Sequence, residues 1–531
     1  MSLTCVQAGE NLLFVSDDGT VSAPLTIPSS ITMSITKPAR FLSADGYLIL
    51  VNTPSQPLLI NSSGKVRLLV PRPPRLAATV AAAAGGTLSG TYRGIRYTFI
   101  VLDEVGNILS ESDYSPASGT VSVTNQAIQV SGIDISPDEI SGRRIYRPTS
   151  NGAVLFQWVD LDGNIIQTIK DDLPDAGLSL TAAPILGNPP YLTHIASFRG
   201  RLFGVAGDDI DHVRYTEAGI RYSWPAENVI EIQPRGSDSI GITALIGRRE
   251  ALGVGRLNQL AQITGTGEET TDGLVDFDNV ILSKELGVLS QESVAVYRDT
   301  AYFLWYDGVY KWNSEGITNI AEAGGVDSWF NTDSYFNQDR FQYAFAAVDP
   351  VRTKYRICLA EAGSTEENTW VEYDIKDGTW WGPHKTNAFD PSSFVFVSLP
   401  SSKPVLTFGS VQGDVNTEQD TRTDGTATAI ELDVIGKRHD GGLPDHDKYF
   451  GELSIVGKAQ SAGTLTITCR TGELNQTTTT TKSYSMTRNR QRISRIGTGK
   501  HTELEFTNSE VGQDVELYGY MIDPVFVLGR R

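Results

Sequence analysis

The chain has 531 residues, 40% of them hydrophobic, and a formal net charge of −19. That length exceeds one ordinary domain and supplies enough apolar residues for more than one core. So acidic a chain repels the phosphate backbone, which argues against a protein that clasps nucleic acid.

The charge is unevenly spread. Residues 427–531 hold 13 Lys and Arg against 13 Asp and Glu, and the first 426 residues hold 31 against 50. The excess reads either as plain solubility or as a negative channel past which DNA slides without sticking. Cys5, Cys358 and Cys469 are far apart and odd in number. They form neither a disulfide framework nor a zinc spacing, and fit folding in a reducing cytosol. The opening MSLTCVQAGENLLF lacks a basic region followed by an apolar run, so no secretory signal is expected. No apolar stretch reaches the length of a membrane helix, so no membrane insertion is expected.

In chain order, ENLLFVSDDGTV (10–21) reads as strand, turn, strand. Residues 46–70 repeat the idea, with YLILVNT, PLLI and KVRLLV around an Asn-Ser-Ser-Gly turn. PRPP at 71–74 ends the run, because proline cannot donate to a ladder. The Ala/Gly stretch 77–86 reads as a linker with a short strand at most. Residues 87–183 form a different module. Tyr92, Ile95, Tyr97, Phe99 and Val101 recur in TYRGIRYTFIVLDEVGNILSESDYSP, and GTVSVT, AIQVSGIDI, GRRIYRPT, AVLFQWVDL and IIQTIKDD follow. Six or seven strands in about a hundred residues suit a small β-sandwich.

The earlier style resumes at Ser197–Pro225, SFRGRLFGVAGDDIDHVRYTEAGIRYSWP, where two strands flank an acidic turn before a Tyr-Ser-Trp-Pro corner. Similar units follow near 243, 294, 342 and 394, the cleanest being VAVYRDTAYFLWYDGVYKWNSEGI. Together with those near 10, 46 and 197 they make six or seven quasi-repeats, each with a Gly-bearing turn and a heavy aromatic strand. Radial repetition of small sheets is the propeller answer to unpaired strand edges. The expected fold is therefore all-β: propeller blades over 1–86 and 184–425, an inserted sandwich at 87–183, and a C-terminal β-sandwich over 426–531. That last part alternates from Ile430 through VELYGYMIDPVFV, with the Thr477–Thr481 run on an exposed hairpin or edge.

Little in the chain points to catalysis. There is no G-x-x-x-x-G-K-[ST], G-x-S-x-G or H-E-x-x-H, so phosphate-cradle, hydrolase-elbow and zinc-protease chemistry lack a starting residue. Neither an enzymatic activity nor a cofactor is expected. His439, Asp440, Asp445, His446 and Asp447 are the one local cluster of metal-capable side chains, but Gly441-Gly442 and Pro444 mark it as a solvated loop. The carboxylate pairs Asp17-Asp18, Asp171-Asp172, Asp208-Asp209 and Glu268-Glu269 sit at turns, where Asp is favoured for backbone reasons. Trp305, Tyr306, Tyr310, Trp312, Trp370, Trp380 and Trp381 read as blade packing more readily than as a sugar platform. Arg488, Arg490, Arg492 and Arg495 form a basic patch. Alternate strand residues share a face, so this patch is the candidate subunit interface. Asp208, Asp209 and Asp211 are the candidate channel-rim charges.

The Tyr-rich strand, Asp-x-x-Gly turn and later Arg-Arg-Ile-Tyr-Arg of 87–183 resemble fibronectin type III-like inserts in phage structural proteins. The RLF strand with its Tyr-Ser-Trp-Pro corner, the loose blades, the inserted sandwich and the closing RIGTGKHTELEFTN resemble tail nozzle or tail-stabilisation proteins of short-tailed bacteriophages. The resemblance implies a virion protein assembled in the host cytoplasm as a homo-oligomeric ring, a hexamer. Such a ring extends the DNA channel below the portal and adaptor, contacts adaptor and fibre or spike proteins, and retains and then passes DNA without binding it specifically. The rival readings are a propeller that binds or hydrolyses glycans, and a head-completion protein of a long-tailed phage.

Overall fold

Tight turns set the rhythm of this chain. Asp45 and Gly46 both take positive φ (49° and 78°), as do Arg199 and Gly200 (49° and 71°) and Arg298 and Asp299 (46° and 67°). Two consecutive residues of that kind make the type I′ turn whose twist matches the strands it joins. Each pair connects the first two strands of a meander.

The structure is a computed structural model describing residues 3–16, 20–29, 31–35, 39–51, 56–179, 181–233, 240–268, 270, 275–332, 334–385, 390–397, 404–411, 413–418, 423–424, 428–429, 432–436, 438–473, 476–510, 515 and 517–529. Asp17, Asp18, Glu269, Ile430 and the expected boundary at 425–426 lie outside the described residues. The chain is nearly all β, with 56% strand against 4% helix. It divides into two units, 1–384 with 391–417, and 385–390 with 418–531.

In the first unit, antiparallel meanders follow one another at 40–68, 192–231, 242–283, 295–319 and 345–385, each of four strands, and at 391–417 with three. Their first strands are neighbours in space: Arg40–Ala44 lies by Leu192–Phe198, which lies by Ile242–Gly247, and Phe345–Asp349 lies between Ala295–Tyr297 and Pro391–Val397. A separate apolar cluster fills the space between consecutive sheets. Phe203, Val205, Leu245 and Val254 join the second and third, and Ala244, Ile246, Phe303 and Trp312 the third and fourth. Tyr302, Leu304, Tyr355 and Val371 join the fourth and fifth. Central strands are thus buried on both faces and read as unbroken runs, as in Arg201–Ala206, instead of alternating.

The unit expected near residue 10 is a two-stranded hairpin, Leu3–Ala8 with Asn11–Ser16, packed on the first meander through Leu12, Leu50 and Leu58. In the stretch 77–86, expected as a linker with at most a short strand, residues 79–86 are instead the first part of a 15-residue strand, Thr79–Arg93. It pairs with Thr120–Ser131. Its small residues suit a close approach, for a Cβ on Gly86 would lie 2.4 Å from the Ala127 nitrogen. This strand opens the inserted module, in which sheets of three and four strands enclose Tyr92, Tyr97, Phe99, Ile128 and Ile145. Beside that core Arg147 and Asp171, both fully buried, make a 2.6 Å ion pair. Arg147 also reaches Asp175 at 2.7 Å and lies over the Tyr92 ring.

In the second unit, one sheet orders Leu432–Ile435, His501–Asn508, Thr464–Glu473 and Gln476–Ser485. The other is built on Asp447–Gly457, flanked by Arg490–Ile493 and Gly497–Gly499 on one side and Leu517–Gly529 on the other. Phe450, Leu453 and Ile455 of one sheet meet Leu465, Ile467 and Phe506 of the other in a shared core. Thr477–Thr481 lies on an edge strand, as expected. Among the described residues no helix is long and apolar enough to cross a membrane.

Candidate functional site

The acidic turn opens the third strand of the second meander, Asp209–Tyr215. Asp208 is exposed in the turn. Asp209 contacts the His212 imidazole and accepts from Arg214 at 3.0 Å. Burial alone would raise the Asp209 carboxyl, but these two bonds outweigh it and hold it below its ordinary value. Asp211 accepts from Arg256 at 2.6 Å. The Arg256 side chain is fully buried while that of Asp211 is 38% exposed, so this contact ties the second meander to the third. Of the three proposed rim charges, two are therefore engaged in ion pairs within the fold. The nearby corner is packing: Trp224 is buried among Leu192, Leu202 and Ile49, and its indole N–H donates to the Arg221 carbonyl.

The basic patch lies in the second unit. Arg490 stands opposite Val456 and Arg492 opposite Ser454. Both arginines are exposed, while the intervening side turns Ile493 into the core. Arg488 is exposed in the turn before this strand and Arg495 just after it, at φ 59°. The expected alternation therefore holds for Arg490 and Arg492, which share one outward face. The His/Asp loop is organised by a lysine. Lys448, buried, donates its ammonium to the carbonyls of His446 and Lys500 at 2.7 and 2.8 Å. Desolvation lowers its pKa, against the pull of Asp440, Asp445 and Asp447. His439 bonds the Tyr520 hydroxyl at 2.7 Å, and Asp440 accepts from the Gly442 N–H within its own turn. Among the described residues no three His, Cys, Asp or Glu side chains are grouped to hold a metal.

A polar clasp missed in the sequence lies where the first strands of the meanders begin. Arg40 donates to Glu292 at 2.7 Å and to the Thr193 carbonyl at 2.5 Å. Glu292 is also bonded by Ser290, and its carbonyl accepts from the Ala346 N–H. Gln291 bridges both backbone groups of Leu245. His194 donates through Nε2 to the Thr243 carbonyl. Desolvation holds this imidazole well below its ordinary pKa, the Arg40 charge adds to that, and the Thr243 bond opposes it. Four of the meanders are thus joined through polar side chains at equivalent strand starts. Comparing the polar residues at or just before the start of each first strand (Arg40, Thr193, Thr243, Glu292) is the signal that could have found it.

The aromatics are mostly committed to packing. Trp305 and Trp380 donate to the carbonyls of Leu257 and Ile320, Trp312 is buried beneath Arg248, Tyr310 bonds Asp307, and Trp370 lies against His384. Tyr306 and Trp381 are exposed.

No family model matches the sequence, and no curated protein matches it. Among solved structures, BBS1N in complex with ARL6DN aligns at 9% identity over 80% of this chain and 92% of its own, with a TM-score of 0.23. An exo-β-1,3-galactanase from Phanerochaete chrysosporium aligns at 8% identity over 92% and 95%, with a TM-score of 0.17. The extracellular domain of a hybrid two-component system protein from B. thetaiotaomicron aligns at 10% identity over 93% and 80%, with a TM-score of 0.19. Scores this low carry no argument about fold, activity or partner.

Proposed function

We propose that the six meanders are blades of a β-propeller with a fibronectin type III-like insert. On this reading the chain is a structural subunit of a ring in the tail nozzle of a short-tailed bacteriophage. Adjacent first strands and separate cores between consecutive sheets support the radial arrangement. The observation that carries the mechanical reading is a contrast in how charge is used. Ionisable groups of the propeller body are spent on ties between its sheets, as in Arg40–Glu292, Arg256–Asp211 and Arg248–Asp299. The C-terminal unit pairs Arg438 and Arg470 with Glu503 and Glu505 but also leaves Arg490 and Arg492 exposed, and on this reading it presents them to a partner. Six such subunits, bound to adaptor and fibre or spike proteins, form a lumen whose acidic excess repels phosphate, so that DNA is held and then passes without specific binding.

The test is the mass of the purified protein together with imaging of the phage particle. A multiple of the 57.7 kDa chain mass and a ring below the portal are expected. A protein that stays monomeric and is absent from the particle overturns the reading, and so does cleavage of cell-surface polysaccharide by the purified chain. Ejection kinetics probe the lumen: Asp208→Lys slows DNA release if this exposed turn faces it.

A further inference from the structure

We infer that the last strand, Leu517–Gly529, with the arginine-bearing face beside it, is where a second copy of this chain docks. The inference rests on the self-assembly reading above and names the surface that mediates it.

The strand is 13 residues long. It pairs with Asp447–Gly457 along one side, and among the described residues no strand pairs with its other side. Its outer row of N–H and C=O groups is a template for a further strand. Natural edges are usually short, charged or covered. This one carries Met521, Phe526, Val527 and Leu528 at 51%, 56%, 49% and 59% exposure, and its single charge within 517–529 is Asp523. Large apolar side chains concentrated on one exposed edge mark an interaction site.

The cross-strand register joins this edge to the basic patch. Met521 stands opposite Ser454, and Ser454 stands opposite Arg492. Gly519 stands opposite Val456, which faces Arg490. Directly opposed residues lie on the same face of a sheet, so Met521, Arg492 and Arg490 share one surface. Charge complementarity points to the occupant. The C-terminal residues 427–531 are neutral overall, and the arginines at 490 and 492 have no ion-pair partner among the described residues. The first 426 residues carry 50 acidic against 31 basic groups. An acidic body that accepts these arginines is therefore present on every other copy. The apolar edge supplies contact area, and the arginines set orientation and reject misplaced partners.

The test compares the full-length protein with R490E/R492E and with M521D/L528D, using light scattering and sedimentation across a concentration series. All four positions are exposed, so circular dichroism and melting temperature should match wild type. Wild-type protein is expected to assemble, and both variants to shift toward the 57.7 kDa monomer with at least tenfold weaker association. High salt should weaken wild-type assembly and leave residual apolar association. Hydrogen exchange supplies a readout free of mutation: amides of 517–529 not bonded to 447–457 become protected on assembly. Oligomeric wild type with two equally oligomeric variants overturns this surface while self-assembly stands. Wild type that is monomeric throughout overturns both. Unchanged exchange over 517–529 between dilute monomer and oligomer also overturns the surface, even if a variant fails to fold.

Discussion

Replacing Asp211 by Asn separates a structural role from a channel-rim role. The Asp211 carboxylate accepts at 2.6 Å from Arg256, whose side chain is fully buried and also lies 3.4 Å from the Ile232 carbonyl. Removing one partner of a fully buried pair costs about 3–5 kcal/mol, and a hydrogen bond to a charged group contributes about 1.5–3 kcal/mol. Asp211 is 38% exposed, so water can enter and rehydrate the guanidinium edge. The lower range applies, giving a loss of about 2 kcal/mol. For a unit of roughly 400 residues unfolding together, an entropy of about 2.1 cal/mol/K per residue turns that into a drop of about 2–3 °C. Asp208→Asn, at an exposed turn, should stay within about 0.5 kcal/mol. Differential scanning calorimetry of both variants and wild type decides the matter. Equal melting temperatures for D208N and D211N would refute the reasoning, because they would show that the Asp211 carboxylate adds nothing to the stability of the buried Arg256 site.

Asp171→Ala removes the fully buried partner of Arg147, which keeps Asp175, and should destabilise the inserted sandwich by about 1.5–3 kcal/mol, whereas its exposed neighbour Asp172→Ala should be near neutral; urea titration monitored by tryptophan fluorescence checks the pair. Trp224→Ala empties the corner between Leu192 and Leu202 and should cost about 3–5 kcal/mol by chemical denaturation. Gly187→Ala should cost about 1–3 kcal/mol, since its Cβ would fall 2.1 Å from the Trp224 carbonyl oxygen. His194 has a depressed pKa in the fold, so an unfolded chain takes up a proton near pH 6.5 that the folded one refuses. Its contribution to stability is complete above about pH 6.5 and is lost as pH falls below it, by at most about 1.36 kcal/mol per pH unit. His194→Gln should flatten that slope in denaturation midpoints between pH 5 and pH 7.5, and an unchanged slope would contradict the assignment.

Much of the strand content was legible because local signals agreed with the tertiary arrangement. Gly46 and Gly200 mark turns, and the YLILV, RLFGVA and TAYFLW runs are too apolar for any place but between sheets. The 77–86 stretch misled for an equally physical reason. Alanine and glycine carry no strand signal of their own, and what makes Thr79–Arg93 a strand is its partner Thr120–Ser131, whose paired residues lie 27 to 52 positions further along. Asp209 and Asp211 looked like turn charges because their partners His212, Arg214 and Arg256 are recognisable only once the strands pair. The last strand was read correctly as a strand, but nothing in LYGYMIDPVFVLG says that one of its sides is left open.

By itself the sequence determined an all-β chain, its division into a repeated acidic part and a neutral C-terminal part, and the outward alternation of Arg490 and Arg492. These follow from composition, turn chemistry and the two-residue period of a strand, all of them local. Only the tertiary structure decided which sheet each strand joins, that Arg40, Glu292 and His194 form a clasp at the strand starts, and that the 517–529 edge is exposed beside the arginines. Those outcomes depend on contacts between residues tens to hundreds of positions apart, and on which backbone groups remain unpaired when the sheets are complete.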